Sequence, residues 1–103
     1  VLYKFGGYGV TQNYTEAMIW DKKAADLGWL YSIKRMGDYY AEGLGVTKSN
    51  SEALVWYTKA ADKGDSEAMR KIAMIYQKGG YGIKRDKKQS IDWINKADAV
   101  SKK

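Results

Sequence analysis

The sequence predicts an all-α protein built as a stack of antiparallel helix pairs, and three observations predict it. A block of about 36 residues recurs along the chain. Each complete block carries two stretches with apolar residues at helical spacing. The stretches end on glycine, and the 103 residues contain no proline to interrupt them.

The recurrence is direct. YKFGGYGV at 3–10 returns as YAEGLGV at 40–46, one residue shorter, and as YQKGGYGI at 76–83. Trp20 returns as Trp56 and Trp93, at offsets of 36 and 37 residues, the Gly-Gly turn absorbing the extra one. Glu16-Ala17 returns as Glu52-Ala53 and loosely as Gln89-Ser90. Lys23-Ala24-Ala25 returns as Lys59-Ala60-Ala61 and as Lys96-Ala97-Asp98, and Gly28 as Gly64. Chance does not align so many positions. The expected organisation is one array: a partial unit at 1–28, a second at 29–64 and a third at 65–103.

Taken in order, unit one keeps only the tail of its first helix, residues 1–5. Its second helix is expected to open on a capping box, Asn13 with Glu16, and to end at Gly28. Unit two opens with a helix over 32–42 that stops at Gly43. Its second helix starts at Ser49 with Glu52. An acceptor three residues before Glu or Gln satisfies amides that the first turn leaves unpaired. That helix places Ala53, Trp56, Tyr57, Ala60 and Ala61 at i, i+3, i+4, i+7 and i+8, one apolar stripe. Unit three repeats the plan with a helix over 66–78, a stop at Gly79 and a box at Asp86 with Gln89. Gly37 and Ala73 occupy the same register, where a small side chain lets two helices approach closely. At the end of the array Asp98 stands where Ala25 and Ala61 stand, and Ser101 replaces the terminal glycine. With Lys102 and Lys103 these suit a polar outer face.

Composition narrows the function. The absence of cysteine removes disulfides, thiolate metal sites and thiol nucleophiles. The absence of histidine removes His-based acid/base catalysis and His-ligated zinc or haem. No convergent set of titratable residues remains, and carboxylates near helix starts already serve as caps, so no catalytic, cofactor-binding or metal-binding residues are assigned. No apolar run approaches the ~20 residues that cross a bilayer. The chain opens on Val1 rather than Met, which suggests a start that is processed, trimmed or cut from something longer.

The combined pattern of Gly37, Tyr40, Gly43, Gly45, Val46, Glu52, Ala53, Trp56, Tyr57, Lys59, Ala60 and Ala61 resembles the Sel-1-like repeat, a relative of the tetratricopeptide repeat. Gly64, Ala68, Ile72, Ala73, Tyr76, Gly79, Gly82, Ile83, Trp93, Lys96 and Ala97 carry it in the next unit. The resemblance implies a right-handed α-solenoid of antiparallel helix pairs, used as a protein-interaction scaffold without catalytic residues. Asp21 departs from it, standing where the other units have Tyr57 and Ile94.

Most conspicuous residues are then structural. Trp20, Trp56 and Trp93 fall on apolar stripes and are expected in the core, as are Tyr3, Tyr40 and Tyr76. The glycine loops lack the Gly-Lys-Ser/Thr and the strand of a phosphate loop, and serve as helix-to-helix turns. Partner binding belongs on residues the repeat does not need. By analogy with tetratricopeptide packing the first helix of each pair lines a concave face, which places Tyr31, Lys34, Asp38 and Ala41 with Glu67, Arg70, Met74 and Gln77. Trp29, Leu30 and Tyr31 replace the polar turn that unit three has at Asp65, Ser66 and Glu67. Trp and Tyr are types enriched at binding hot spots. The candidate partner-binding set is therefore Trp29, Tyr31, Lys34, Asp38, Arg70, Met74 and Gln77.

The function expected is a non-catalytic scaffold that holds a protein or peptide on its concave helix face. One alternative is an inhibitor or immunity-type protein that neutralises a single enzyme or toxin. The other is a basic nucleic-acid-binding module, since the net charge is +6 and Lys84, Arg85, Lys87 and Lys88 cluster before a helix start. No stacking platform or DNA-reading helix accompanies that cluster, which weighs against nucleic acid. Three repeats are about the minimum for a stable stack. The open N-terminal face therefore implies a longer parent array, a partner, or self-association with a second copy. The sequence does not name a compartment; a soluble protein is expected, with bacterial cytoplasm and periplasm both open.

Overall fold

A computed structural model describes residues 10–101, with side chains from 14 onward. The expected burial of Tyr3, the helix tail at 1–5 and the terminal Lys102 and Lys103 lie outside the described residues. Among the described residues five helices follow one another: α1 (Val10–Asp26), α2 (Leu30–Glu42), α3 (Asn50–Asp62), α4 (Ser66–Lys78) and α5 (Lys87–Ser101). Each packs on the next in sequence. The result is an all-α solenoid of helix pairs, and the only extended pairing among the described residues is an isolated bridge between Gly80 and Ile83.

The helix limits follow from local chemistry. Ser49 accepts a hydrogen bond from the Glu52 amide at 3.2 Å, and Asp86 from the Gln89 amide at 3.1 Å, as the capping boxes predict. Asp65 does the same for α4, accepting from the Ala68 amide at 2.8 Å. Helix α4 spans the expected 66–78, and α2 ends at a left-handed Gly43. Two expectations need correction. Asn13 lies inside α1, which begins at Val10, so it is not a cap; no glycine or proline separates the two positions, and the helix runs back through them. Helix α2 starts at Leu30 rather than Ser32, because the chain turns directly into it at Trp29.

The core is a row of small and large side chains along facing helices. Ala53, Trp56, Tyr57, Ala60 and Ala61 are all buried on α3, as their spacing predicts. They meet Ile33, Met36 and Tyr39 of α2 and Ala68, Met69, Ile72 and Ile75 of α4. Trp20 departs from the expected pattern. Trp56 is 8% exposed, whereas Trp20, one repeat earlier, is 67% exposed. Trp56 sits in a helix that packs on both α2 and α4, while among the described elements α1 packs on α2 alone. The exposed Trp20 indole has Lys23 over one face, its Nζ 4.8 Å from the ring centre. The same Trp–Lys pairing recurs at Trp56 with Lys59 and at the half-buried Trp93 with Lys96. Tyr40 and Tyr76 pack against the core half-buried.

The glycine loops join one repeat to the next. The Tyr81 carbonyl accepts from the Asn50 and Ser51 amides at 2.8 and 3.3 Å, and Asn50 Nδ2 donates to the Gly80 carbonyl at 3.0 Å. The loop after α4 thus satisfies the free amides at the start of α3. A Cβ at Gly82 would lie 2.0 Å from Ser51 Oγ, and one at Gly45 would lie 3.1 Å from the Thr15 amide nitrogen. Gly45 and Gly82 are repeat equivalents, as are Thr15 and Ser51. The loop glycines are needed where a loop lies flat on a helix of the preceding repeat, at the start of α3 for Gly82 and further into α1 for Gly45.

Candidate partner-binding groove

Helix α2 carries Tyr31, Lys34, Asp38 and Ala41 on one face, three or four residues apart. At 1.5 Å per residue that stripe is about 15 Å long. Where it runs beside α4, a groove of about 360 Å³ opens, lined by Asp38, Ala41, Tyr57, Lys71, Met74 and Tyr81 among others. Its floor is apolar and its rim is charged.

The floor is set by one contact. Tyr57 is buried with its ring against Gly37, where a Cβ would lie 2.5 Å from Cε1. Its hydroxyl donates to Asp38, and Lys71 Nζ reaches the same carboxylate oxygen at 2.7 Å. Burial first, and then the bond to Asp38, push the Tyr57 hydroxyl well above the ordinary tyrosine range. Asp38 is thereby shared between three helices, and it ties α2 to α4 across the groove.

The sequence-predicted residues separate by register. The positions one and four residues after Gly37 and Ala73 line hollows. Asp38, Ala41 and Met74 meet in the groove, whereas Gln77 lines a smaller hollow one repeat on, with Arg85, Lys87, Ser90, Ile91 and Ile94. The positions three residues before make ion pairs to a later helix, from α2 to the start of α4 and from α4 to α5. Lys34 contacts Asp65 at 3.4 Å and also pairs with Glu67, and Arg70 contacts Asp98 at 2.9 Å. Burial opposes the charge on Lys34, but Glu67 and Asp65 outweigh it and raise its pKa. The second hollow is the counterpart of the first. Ile94 holds the place of Tyr57 but stays exposed, as does Ile91, because α5 packs only on α4 among the described elements. That end of the array is therefore less polar than Asp98 and Ser101 suggest.

Trp29 and Tyr31 stand at the other end of the α2 stripe, 66% and 69% exposed. Trp29 occupies the N-cap position and makes no side-chain capping bond, where its repeat counterpart Asp65 caps α4. Losing such a cap costs about 1 kcal/mol. Arg35 lies against the Tyr31 ring, 5.5 Å from its centre, and bonds Asp21 at 2.8 Å. Asp21, the departure noted above, also accepts from Tyr39 at 2.5 Å, and burial followed by this bond pushes the Tyr39 hydroxyl up to about 12. Asp21 thus rebuilds with Arg35 and Tyr39 a polar link between α1 and α2.

Sequence reasoning missed Lys71, Tyr81, Lys48 and Lys78, all of which line the groove. Lys71 was readable in principle, being one turn before Met74 on the same helix. Tyr81 was not. It lies in a loop one residue longer than that of unit two, and it takes a left-handed φ of +49° as its carbonyl turns to α3. Among the described residues no group of three or more acidic ligands could hold a metal ion, and no helix is long and apolar enough to cross a membrane.

The Sel1 repeat pattern matches residues 1–29, 31–65 and 66–97. The chain belongs to the Sel1 repeat family. Its fold is shared with a Sel1 repeat protein from Oxalobacter formigenes, at a TM-score of 0.74 and 33% identity, over 82% of this chain and 64% of that one. It is also shared with c5321, a protective antigen present in uropathogenic Escherichia coli strains and displaying an SLR fold, at a TM-score of 0.78 and 33% identity. That match covers 90% of this chain and 20% of c5321. The chain thus spans under two thirds of either relative. Comparison with curated protein sequences finds no match. Sel1 repeats generally serve as non-catalytic scaffolds for protein interaction, and the hollows between α2, α4 and α5 recur with the family's own period.

Proposed function

We propose that this Sel1 repeat chain is one continuous array, with units at 1–28, 29–64 and 65–103, that binds a protein through an extended segment laid along α2 and α4. It does no chemistry of its own. The observation that carries this reading is the groove itself, with exposed Met74 and half-buried Ala41 beside the fixed Asp38–Tyr57–Lys71 bridge. Its apolar floor is held rigid by interhelical bonds before any partner arrives, which lowers the ordering cost of association. Met74 supplies an adaptable apolar contact. Trp29 and Tyr31 form the edge, about two turns from Asp38 along α2, within reach of four or five extended residues. Lys34 and Arg70 act by holding α2 to α4 and α4 to α5, and Gln77 continues the track into the next hollow.

The test is a pull-down with three proteins checked for folding by circular dichroism: wild type, Met74→Lys, and Trp29→Ala with Tyr31→Ala. A protein held by wild type and lost on Met74→Lys supports the groove, with a smaller loss for the edge variant. A partner retained equally by all three overturns the assignment.

A further inference from the structure

The charges around the groove are distributed unevenly along its length. The described ion pairs engage Lys22, Lys34, Arg35, Arg70 and Lys71. At the loop end, residues 42–52 and 78–88 hold Lys48, Lys78, Lys84, Arg85, Lys87 and Lys88 against Glu42, Glu52 and Asp86. None of these six cations makes an ion pair among the described residues. Their proximity to the groove is structural. Lys48 and Lys78 line it, and Lys48 Nζ stands 4.4 Å from the centre of the exposed Tyr81 ring. The loop from Lys84 folds back onto the end of α4, where a Cβ on Gly79 would lie 2.8 Å from the Arg85 amide nitrogen. Of the acids at this end, Asp86 caps α5 and Glu52 lies in the first turn of α3, leaving Glu42 as the one that lines the groove.

We infer that the loop end of this groove receives an acidic, extended peptide segment of the partner protein, its carboxylates facing Lys48 and Lys78 and an apolar side chain resting on Met74, Ala41 and Tyr81. This rests on the groove reading above and names its ligand. Three features fit one occupant. The six cations make no ion pair among the described residues, so an incoming carboxylate gains charge-assisted bonds without breaking an existing salt bridge. The floor between them is apolar, so alternating acidic and apolar side chains satisfy both surfaces. The outer cations Lys84, Arg85, Lys87 and Lys88 extend the positive field beyond the groove, which speeds encounter with an acidic segment. The groove also presents Asp38 and, at its loop end, Glu42, which a uniform polyanion would meet unfavourably; a peptide, whose charges are spaced along the chain, can set its acids opposite Lys48 and Lys78 and other side chains opposite these two.

The experiment selects from a phage-displayed library of random twelve-residue peptides on the immobilised full chain at low salt. The strongest peptide is then measured by fluorescence anisotropy at low and moderate salt. The comparison proteins are Lys48→Gln with Lys78→Gln, Lys48→Glu with Lys78→Glu, and Met74→Lys, each confirmed folded, and a labelled oligo-dT is measured beside the peptide. The expected result is an acidic consensus with apolar residues. Its affinity should fall about tenfold on the Gln pair, further on the Glu pair, and several-fold as salt rises. A neutral or basic consensus that Met74→Lys still abolishes overturns the acidic ligand while leaving the groove intact. Peptides indifferent to every variant, or a library that yields none, overturn both. Oligo-dT binding more tightly than the selected peptide, and lost on the Glu pair, overturns the inference in favour of nucleic acid.

Discussion

Gly37→Ala should destabilise the protein although it replaces a helix-interior glycine with the best helix former. The structure supplies the terms. Position 37 is buried within α2, where the alanine gains about 1 kcal/mol of helix propensity. Its Cβ, however, would lie 2.5, 2.6 and 3.0 Å from three atoms of the Tyr57 ring. Carbon atoms pack near 3.5–4.0 Å, so the ring must retreat by about 1 Å. Tyr57 is a rigid, buried ring with its hydroxyl anchored on Asp38. Overpacking of this kind costs about 1–3 kcal/mol, and straining or losing a hydrogen bond to a charged group adds about 1.5–3. The net loss is roughly 1.5–5 kcal/mol, which for a chain of this size lowers Tm by about 6–20 °C. Urea unfolding followed by circular dichroism measures it. The neighbouring repeat supplies a control, because Ala73 there is matched with Ile94 in place of Tyr57. Adding Tyr57→Ile to Gly37→Ala should recover part of the loss, giving a double-mutant coupling of at least ~1 kcal/mol. A neutral or stabilising Gly37→Ala, or strictly additive effects, would refute the argument that the glycine exists to admit the ring.

Three further outcomes are expected. Trp56→Ala should cost about 3–5 kcal/mol and Trp20→Ala below about 1, measured by the same urea titration, because only the first indole is buried. Gly82→Ala and Gly80→Ala both meet a positive φ, but only Gly82 would place its Cβ on Ser51. It should therefore be the more destabilising by about 1 kcal/mol, and equal losses would mean that the loop does not interlock with α3. Stability should be intact below pH 10 and decline as pH rises from about 10 towards 12. Tyr39 and Tyr57 have hydroxyl pKa values raised on folding, so the unfolded chain releases those protons first. Tyr39→Phe with Tyr57→Phe should flatten that decline in a pH series of thermal melts, and an unchanged slope would assign it to other groups.

The sequence by itself determined the helix count beyond unit one, most helix ends and the α3 core stripe. Those features are local: a serine or aspartate three residues before Glu or Gln, a glycine at a stop and alanine at helical spacing each act within a turn or two. It also placed Asp38, Ala41 and Met74 on one surface, because repeat register and helix period suffice for that. Three things depended on tertiary structure. Whether a tryptophan is core depends on which helices flank it, so Trp20 and Trp56 look alike in sequence and differ in burial. Whether a cation near the groove is ion-paired depends on the carboxylate another helix brings, so Lys34, Arg70 and Lys71 are paired within the fold while Lys48 and Lys78 make no ion pair among the described residues. The groove itself exists because a one-residue longer loop returns Tyr81 to the start of α3, and because Asp38 draws Tyr57 and Lys71 together from two other helices. Those contacts span some 20 to 40 residues of chain, a distance over which spacing alone carries no information about approach.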